Sequence, residues 1–242
     1  MPRKAQTESL ADSHAAPGGA AAVDRALTLL LAFRAGDVSL TLSALAARTQ
    51  LYKSTVLRLL ASLEHARLVQ RLDSGAWTLG SEIARLNAVY AASFSLDRVV
   101  LPVLRDLVAA TRESAAYHVV QGGARLCLYR VDSPQPVRDH IRAGDVLPMD
   151  RGTGGRVLTA FGPPPSGPVP TKDKNLYARI REQGFFSSQG DRLPGVAGIS
   201  VPVFRQGGPL AAALTLTMPT ERYDELHVRK VLAAARALGE LL

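Results

Sequence analysis

Apolar positions recur at helical spacing through the first part of the chain and at strand spacing through much of the rest. In VDRALTLLLAF, residues Val23, Ala26, Leu27, Leu30, Leu31 and Phe33 fall close to one face of a helix that ends at Gly36 and Asp37. Thr41 is the expected N-cap of a second helix, LSALAARTQ, with Leu42, Leu45 and Ala46 on its apolar side. After a break at Thr49-Gln50-Leu51, KSTVLRLLASL carries Val56, Leu59, Leu60 and Leu63 at i, i+3, i+4 and i+7. Lys53, Ser54 and Arg58 fall elsewhere on that wheel. The pattern then shortens: Leu68–Leu72 and Ala76–Leu79 flank Asp73-Ser74-Gly75, a hairpin signal.

Three helices followed by a β-hairpin is the order of a winged helix-turn-helix. SEIARLNAVYAASF predicts a lone connecting helix with a narrow stripe, Ile83, Leu86, Tyr90 and Phe94, of the kind that pairs with a copy of itself. A strongly amphipathic helix follows, expected to be capped by Ser95 and carrying Leu96, Val99, Val100, Val103, Leu104 and Leu107. Strand-like segments come next: 115–120, a Gly122-Gly123 turn, 125–131, 199–205, a Gly207-Gly208 turn, and 210–218. A final helix is expected from about Glu221 to Leu241. Hairpins bracketed by helices make this second part an α+β domain, an antiparallel sheet with helical cover. The expected division is 1–19 as a disordered tail, 20–80 as the winged domain, 81–94 as the linker helix and 95–242 as the second domain.

Composition narrows the function. With 242 residues and 47% hydrophobic side chains the chain can bury a proper core. Its net charge of +8 suits a polyanionic partner. That charge is spread out, however: residues 1–94 hold 10 basic against 7 acidic side chains, and residues 95–242 hold 19 against 14. The local pattern must therefore identify any nucleic-acid surface. One cysteine and five scattered histidines exclude a disulfide framework and give no metal-ligand spacing, so neither a metal nor a cofactor is expected. Apolar runs are too short for a membrane span and the N-terminus lacks a secretory core, so a cytoplasmic protein is expected. No nucleophile elbow, Cys–His motif or paired-carboxylate signature argues for an enzyme.

The most informative stretch is QLYKSTVLRLLASL. As a recognition helix, its first turns would present Tyr52, Lys53, Ser54, Thr55 and Arg58 to a major groove, with Gln50 at the preceding turn. Short hydroxyls let a helix sit deep, and Arg58 can bind guanine or phosphate. Gln70, Arg71 and the tip residue Ser74 would track the backbone or minor groove, although Arg71 also reads as a strand-edge charge. Trp77 reads as wing core. A second stretch, RGTGGRVLTAF, joins converging backbone N–H groups to a helix beginning near Arg156, which suits a small carboxylate. Arg130, Arg138, Arg142 and Arg156, expected around that loop, add to the case for a carboxylate effector. Thr215 and Thr217 alternate onto one face of LTLTM. His118, Tyr117 and Tyr129 are reserve pocket candidates.

On VDRALTLL, LSALAARTQLYKSTVLRLLASLEHARLVQR, WTLG, YRVDSPQPV, LPMDRGTGGRVLTAF, IREQGF and LPGVAGISVPVF, the chain resembles the IclR family of bacterial transcription regulators. The resemblance spans nearly everything from residue 23 onward. It implies a winged helix, a linker helix and a GAF-like ligand-sensing domain. It also implies effector contacts from Gly152, Thr153, Gly154, Gly198, Thr215 and Thr217, with Asp191 at a commonly acidic position. The chain departs from the family at Gln50, where Gly is usual, and at Gly155-Arg156-Val157 in place of Gly-Lys-Ala. Further departures are the short proline-rich GPPPSGPVPT and Gly198, where Cys is often found. The expected partners are a pseudo-palindromic DNA operator, a small organic effector and further copies of the chain, as a dimer or dimer of dimers. The alternative is a small-molecule-binding protein or enzyme whose N-terminal helices serve only assembly.

Overall fold

The computed structural model describes residues 9–13, 15–93, 96–163 and 171–242. Phe94, Ser95 and most of the proline-rich run, all named above, lie outside the described residues. The chain folds as two compact units, one up to residue 94 and one from residue 95.

The first unit contains α1 (Leu10–Ser13), α2 (Ala21–Leu31), α3 (Leu42–Thr49), α4 (Lys53–His65), β1 (Val69–Arg71), β2 (Trp77–Leu79) and α5 (Ser81–Ser93). The helical stripes meet as their spacing requires: Leu29, Leu45, Val56, Leu60, Leu63 and Trp77 form one buried cluster. Thr41 caps α3, its hydroxyl accepting the Ala44 N–H at 3.2 Å. β1 and β2 pair antiparallel with Arg71 opposite Trp77, and Leu40 bridges to Trp77 from the other side. Trp77 is thus wing core, and the Arg71 guanidinium stacks 5.8 Å from its ring centre. The expectation of a structureless residue 1–19 stretch needs correction at α1. There Asp12 accepts from the Ser9 hydroxyl at 2.6 Å and from Arg25 on α2 at 2.7 Å. Composition argues for disorder, but this ion pair to a later helix holds one helical turn in place.

The second unit runs α6 (Leu96–Thr111), β3 (Ser114–Gln121), β4 (Ala124–Val131), β5 (Val146–Leu147), α7 (Thr153–Phe161), α8 (Thr171–Gln183), β6 (Phe186–Gln189), β7 (Val196–Phe204), β8 (Leu210–Pro219) and α9 (His227–Leu241). Its six-stranded sheet has the order β5-β4-β3-β8-β7-β6, with every neighbouring pair antiparallel. One face carries Tyr117, Ile199, Leu214 and Leu216. These pack on Val100, Leu104 and Leu107 of α6 and on Val231, Ala235 and Leu238 of α9. α7 covers part of the opposite face, where Val157 and Leu158 meet Ala213 and the α8 residues Tyr177 and Ile180. β5 and β6 were not expected, since two and four residues are too few to show alternation. The final helix begins at His227 rather than Glu221. Asp224 accepts the Leu226 N–H at 2.9 Å, an Asx turn that separates α9 from a short 3₁₀ turn at Thr220–Arg222.

Candidate functional site

In the first unit the α3–α4 turn is built on Gln50, whose backbone is left-handed (φ 58°, ψ 26°). A non-glycine residue there costs about 1 kcal/mol. α4 follows with Tyr52 as N-cap, its leucine side buried and its other side open. Tyr52, Lys53, Ser54 and Arg58 are exposed and Thr55 is half-buried. Among the described residues, neither the Lys53 nor the Arg58 side chain has a hydrogen-bond or ion-pair partner. Arg48 differs: it pairs with Asp37 and donates to the Ala32 carbonyl at 2.8 Å, so it holds the α2–α3 connection. Gln70, Arg71 and Ser74 are exposed on the hairpin, and its tip turns through Gly75 (φ 78°). The arrangement is a cation-bearing helix face beside an exposed hairpin.

In the second unit a pocket of about 350 Å³, part of it open to solvent, lies on the sheet face that α7 partly covers. Gly152, Thr153, Asp191, Gly198, Thr215 and Thr217, named from the sequence, all line it. Gly154 stands beside them: a Cβ there would come 2.6 Å from Arg125 Nη1 and 2.9 Å from Thr215 Oγ1. Glycine at 154 therefore makes room for those side chains. Gly198 does the same for Thr153, whose hydroxyl would lie 2.6 Å from an added Cβ. That filled space accounts for glycine at this departure from the family pattern.

The loop's backbone does not simply converge on a ligand. The Gly152 N–H donates to Asp191 at 2.6 Å, and Asp191 is also 3.4 Å from Arg156, so this acidic residue ties the loop to α7. Behind the loop runs a buried relay of hydroxyls. Ser200 Oγ donates to Thr153 Oγ1 at 2.8 Å and lies 2.8 Å from Thr215 Oγ1, which is 3.1 Å from His118 Nδ1.

Sequence reasoning missed the arginines that matter here. Arg125 at the start of β4 is 2% exposed and lines the pocket, and its Nε and Nη2 have no partner among the described residues. Burial, with the nearby charge of Arg192, pulls its guanidinium down to about 10. Arg192 also lines the pocket and donates to Asp139 at 3.1 Å. The four arginines expected there are elsewhere. Arg130 is held by Asp132 and Asp139, and Arg156 by Asp173 and Asp191. Arg138 lies 3.6 Å from Asp132, Arg142 is exposed, and none of the four lines the pocket. Tyr117 belongs to the opposite core, whereas His118 lines the pocket, because neighbouring strand residues point to opposite faces. Burial, then the charges of Arg125, Arg130 and Arg192, hold its imidazole well below the ordinary value, so it is neutral.

A helix-turn-helix with a hairpin wing, carried on the same chain as a sheet domain with a polar pocket, defines a DNA-binding regulator with a sensing domain. The IclR helix-turn-helix domain model matches residues 22–73, and the C-terminal domain model of IclR bacterial transcriptional regulators matches residues 174–241. The chain belongs to the IclR family and is a transcriptional regulator with a DNA-binding domain and an effector-binding C-terminal domain. It is 28% identical to the HTH-type transcriptional regulator BhcR of Paracoccus denitrificans, over 92% of this chain and 87% of that one. It is 25% identical to the glycerol operon regulatory protein of Streptomyces coelicolor, covering 88% and 91% respectively. A crystal structure of an IclR-type regulator from Silicibacter sp. TM1040 superposes with a TM-score of 0.78 at 26% identity, covering 90% of this chain and 93% of that one. An IclR homologue from Microbacterium hydrocarbonoxydans, crystallised with 4-hydroxybenzoate, shares the fold: TM-score 0.79, 23% identity, 90% and 97% covered. Among the described residues no helix is long and apolar enough to cross a membrane.

Proposed function

We propose that this regulator binds a specific operator through α4 and its wing, and that a small organic carboxylate seated against Arg125 controls that binding. One observation carries the effector class. A buried guanidinium with two unpartnered nitrogens is costly unless an anion completes it. A planar carboxylate fits the guanidinium fork bidentately, and a pocket of about 350 Å³ favours a small one. The carboxylate carried by 4-hydroxybenzoate, the ligand of the Microbacterium homologue, agrees with this class.

On the DNA side, Gln50, Tyr52, Lys53, Ser54, Thr55 and Arg58 form the groove-facing set, and Gln70, Arg71 and Ser74 the flanking contacts. Val23, Leu27 and Leu31 of α2 and Leu86 of α5 are exposed apolar residues, which supports pairing of two chains, or two pairs, along these helices. A two-fold protein would read a pseudo-palindromic operator. Such a protein works in the cytoplasm, beside its DNA. The test is a gel-shift titration against the chain's own upstream DNA at several salt concentrations. Lys53→Ala and Arg58→Ala are each expected to weaken binding and to lower the slope of log K against log salt by about 1. Unchanged binding in both variants would favour a protein whose N-terminal helices serve assembly alone.

A further inference from the structure

Building on the carboxylate reading, we infer that the effector carries a hydroxyl group close to its carboxylate, and that the Nε2 atom of His118 accepts a hydrogen bond from it. The hydroxyl relay behind the loop fixes which His118 nitrogen holds the proton. Ser200 has one hydroxyl hydrogen and gives it to Thr153. Its contact with Thr215 must then be donated by Thr215. With its own hydrogen spent, the Thr215 oxygen can only accept from His118, so the proton sits on Nδ1. In a neutral imidazole the other nitrogen is then a bare acceptor. That atom, Nε2, is buried without a partner among the described residues, on a ring that lines the pocket.

The pocket thus presents two incomplete groups of opposite kind: donors on Arg125 and an acceptor on His118. Arg125 and His118 line the same pocket and are close neighbours, with Arg125 Nη1 and His118 Nδ1 both within 3.3 Å of the point a Gly154 Cβ would occupy. A hydroxy acid completes both groups. A 2-oxo acid sets a carbonyl lone pair against the Nε2 lone pair, and an unsubstituted acid leaves Nε2 unpaired. An ammonium group could also donate, but it would enter a site that already faces Arg125 and Arg192.

Calorimetric titration of the full chain with four acids on one three-carbon skeleton tests this: lactate, pyruvate, propionate and alanine. Lactate is expected to bind about tenfold or more tighter than the other three, the usual penalty for an unmade buried hydrogen bond. In His118→Leu the preference is expected to vanish while weak carboxylate binding remains. Equal affinity for lactate, pyruvate and propionate, or a preference that survives in His118→Leu, overturns the hydroxyl assignment and leaves the carboxylate reading standing. Failure of all four acids, with the neutral 1,2-propanediol bound instead, overturns both.

Discussion

Arg125 and His118 are expensive residues to bury. Each is sealed beneath α7 with unpartnered nitrogen, and neither is a packing choice that favours stability. For His118 the consequence is a pH dependence of known sign. The unfolded chain binds a proton at this residue below its ordinary value of 6.5, while the folded chain refuses it until much lower pH. Stability from this group is complete above pH 6.5 and is lost as pH falls below it, by up to about 1.4 kcal/mol per pH unit. Thermal melts from pH 7.5 to 5 should show that loss in the wild type and a flatter profile in His118→Gln; parallel profiles would refute it. Both residues also mark the limit of what the sequence discloses. Thr215 and Thr217 are legible because strand alternation alone puts them on one face. Alternation puts His118 and Tyr117 on opposite faces, but it does not say which face will hold the pocket until α7 packs on one of them. Arg125 looks like any strand-edge cation until β5 and α7 close over it. Arg130, Arg138, Arg142 and Arg156 are close to the loop in sequence, but folding gives three of them carboxylate neighbours and leaves Arg142 exposed.

At the scale of elements, period and caps do most of the work. α2, α3 and α4 follow from leucine spacing and the Thr41 cap, and α6 from its own stripe. β5, β6 and the split before α9 escape detection because they depend on sheet pairing and on one Asp224 turn. Gln50 is where a local rule is broken visibly: a left-handed turn held without glycine. Gln50→Gly is expected to stabilise the full chain by about 1 kcal/mol in guanidinium denaturation, through relief of backbone strain. No change, or a loss, would mean that the Gln50 side chain contributes more at the turn than its backbone costs.

Across the whole molecule, function requires that occupancy of one unit alter the affinity of the other for DNA. A ligand shifts an equilibrium only by its differential affinity for the two states, and such couplings are typically 1–3 kcal/mol, about 5- to 150-fold. On the function proposed above, Arg125 is the group on which that coupling turns, because it is the buried charge an effector would neutralise. The decisive measurement is fluorescence-anisotropy titration of labelled upstream DNA with the full chain, with and without saturating lactate, for wild type and Arg125→Met. The expected result is a shift of about fivefold or more in wild-type operator affinity and no shift in Arg125→Met. An equal shift in both proteins, or none in the wild type with this or any other small carboxylate, would contradict the account.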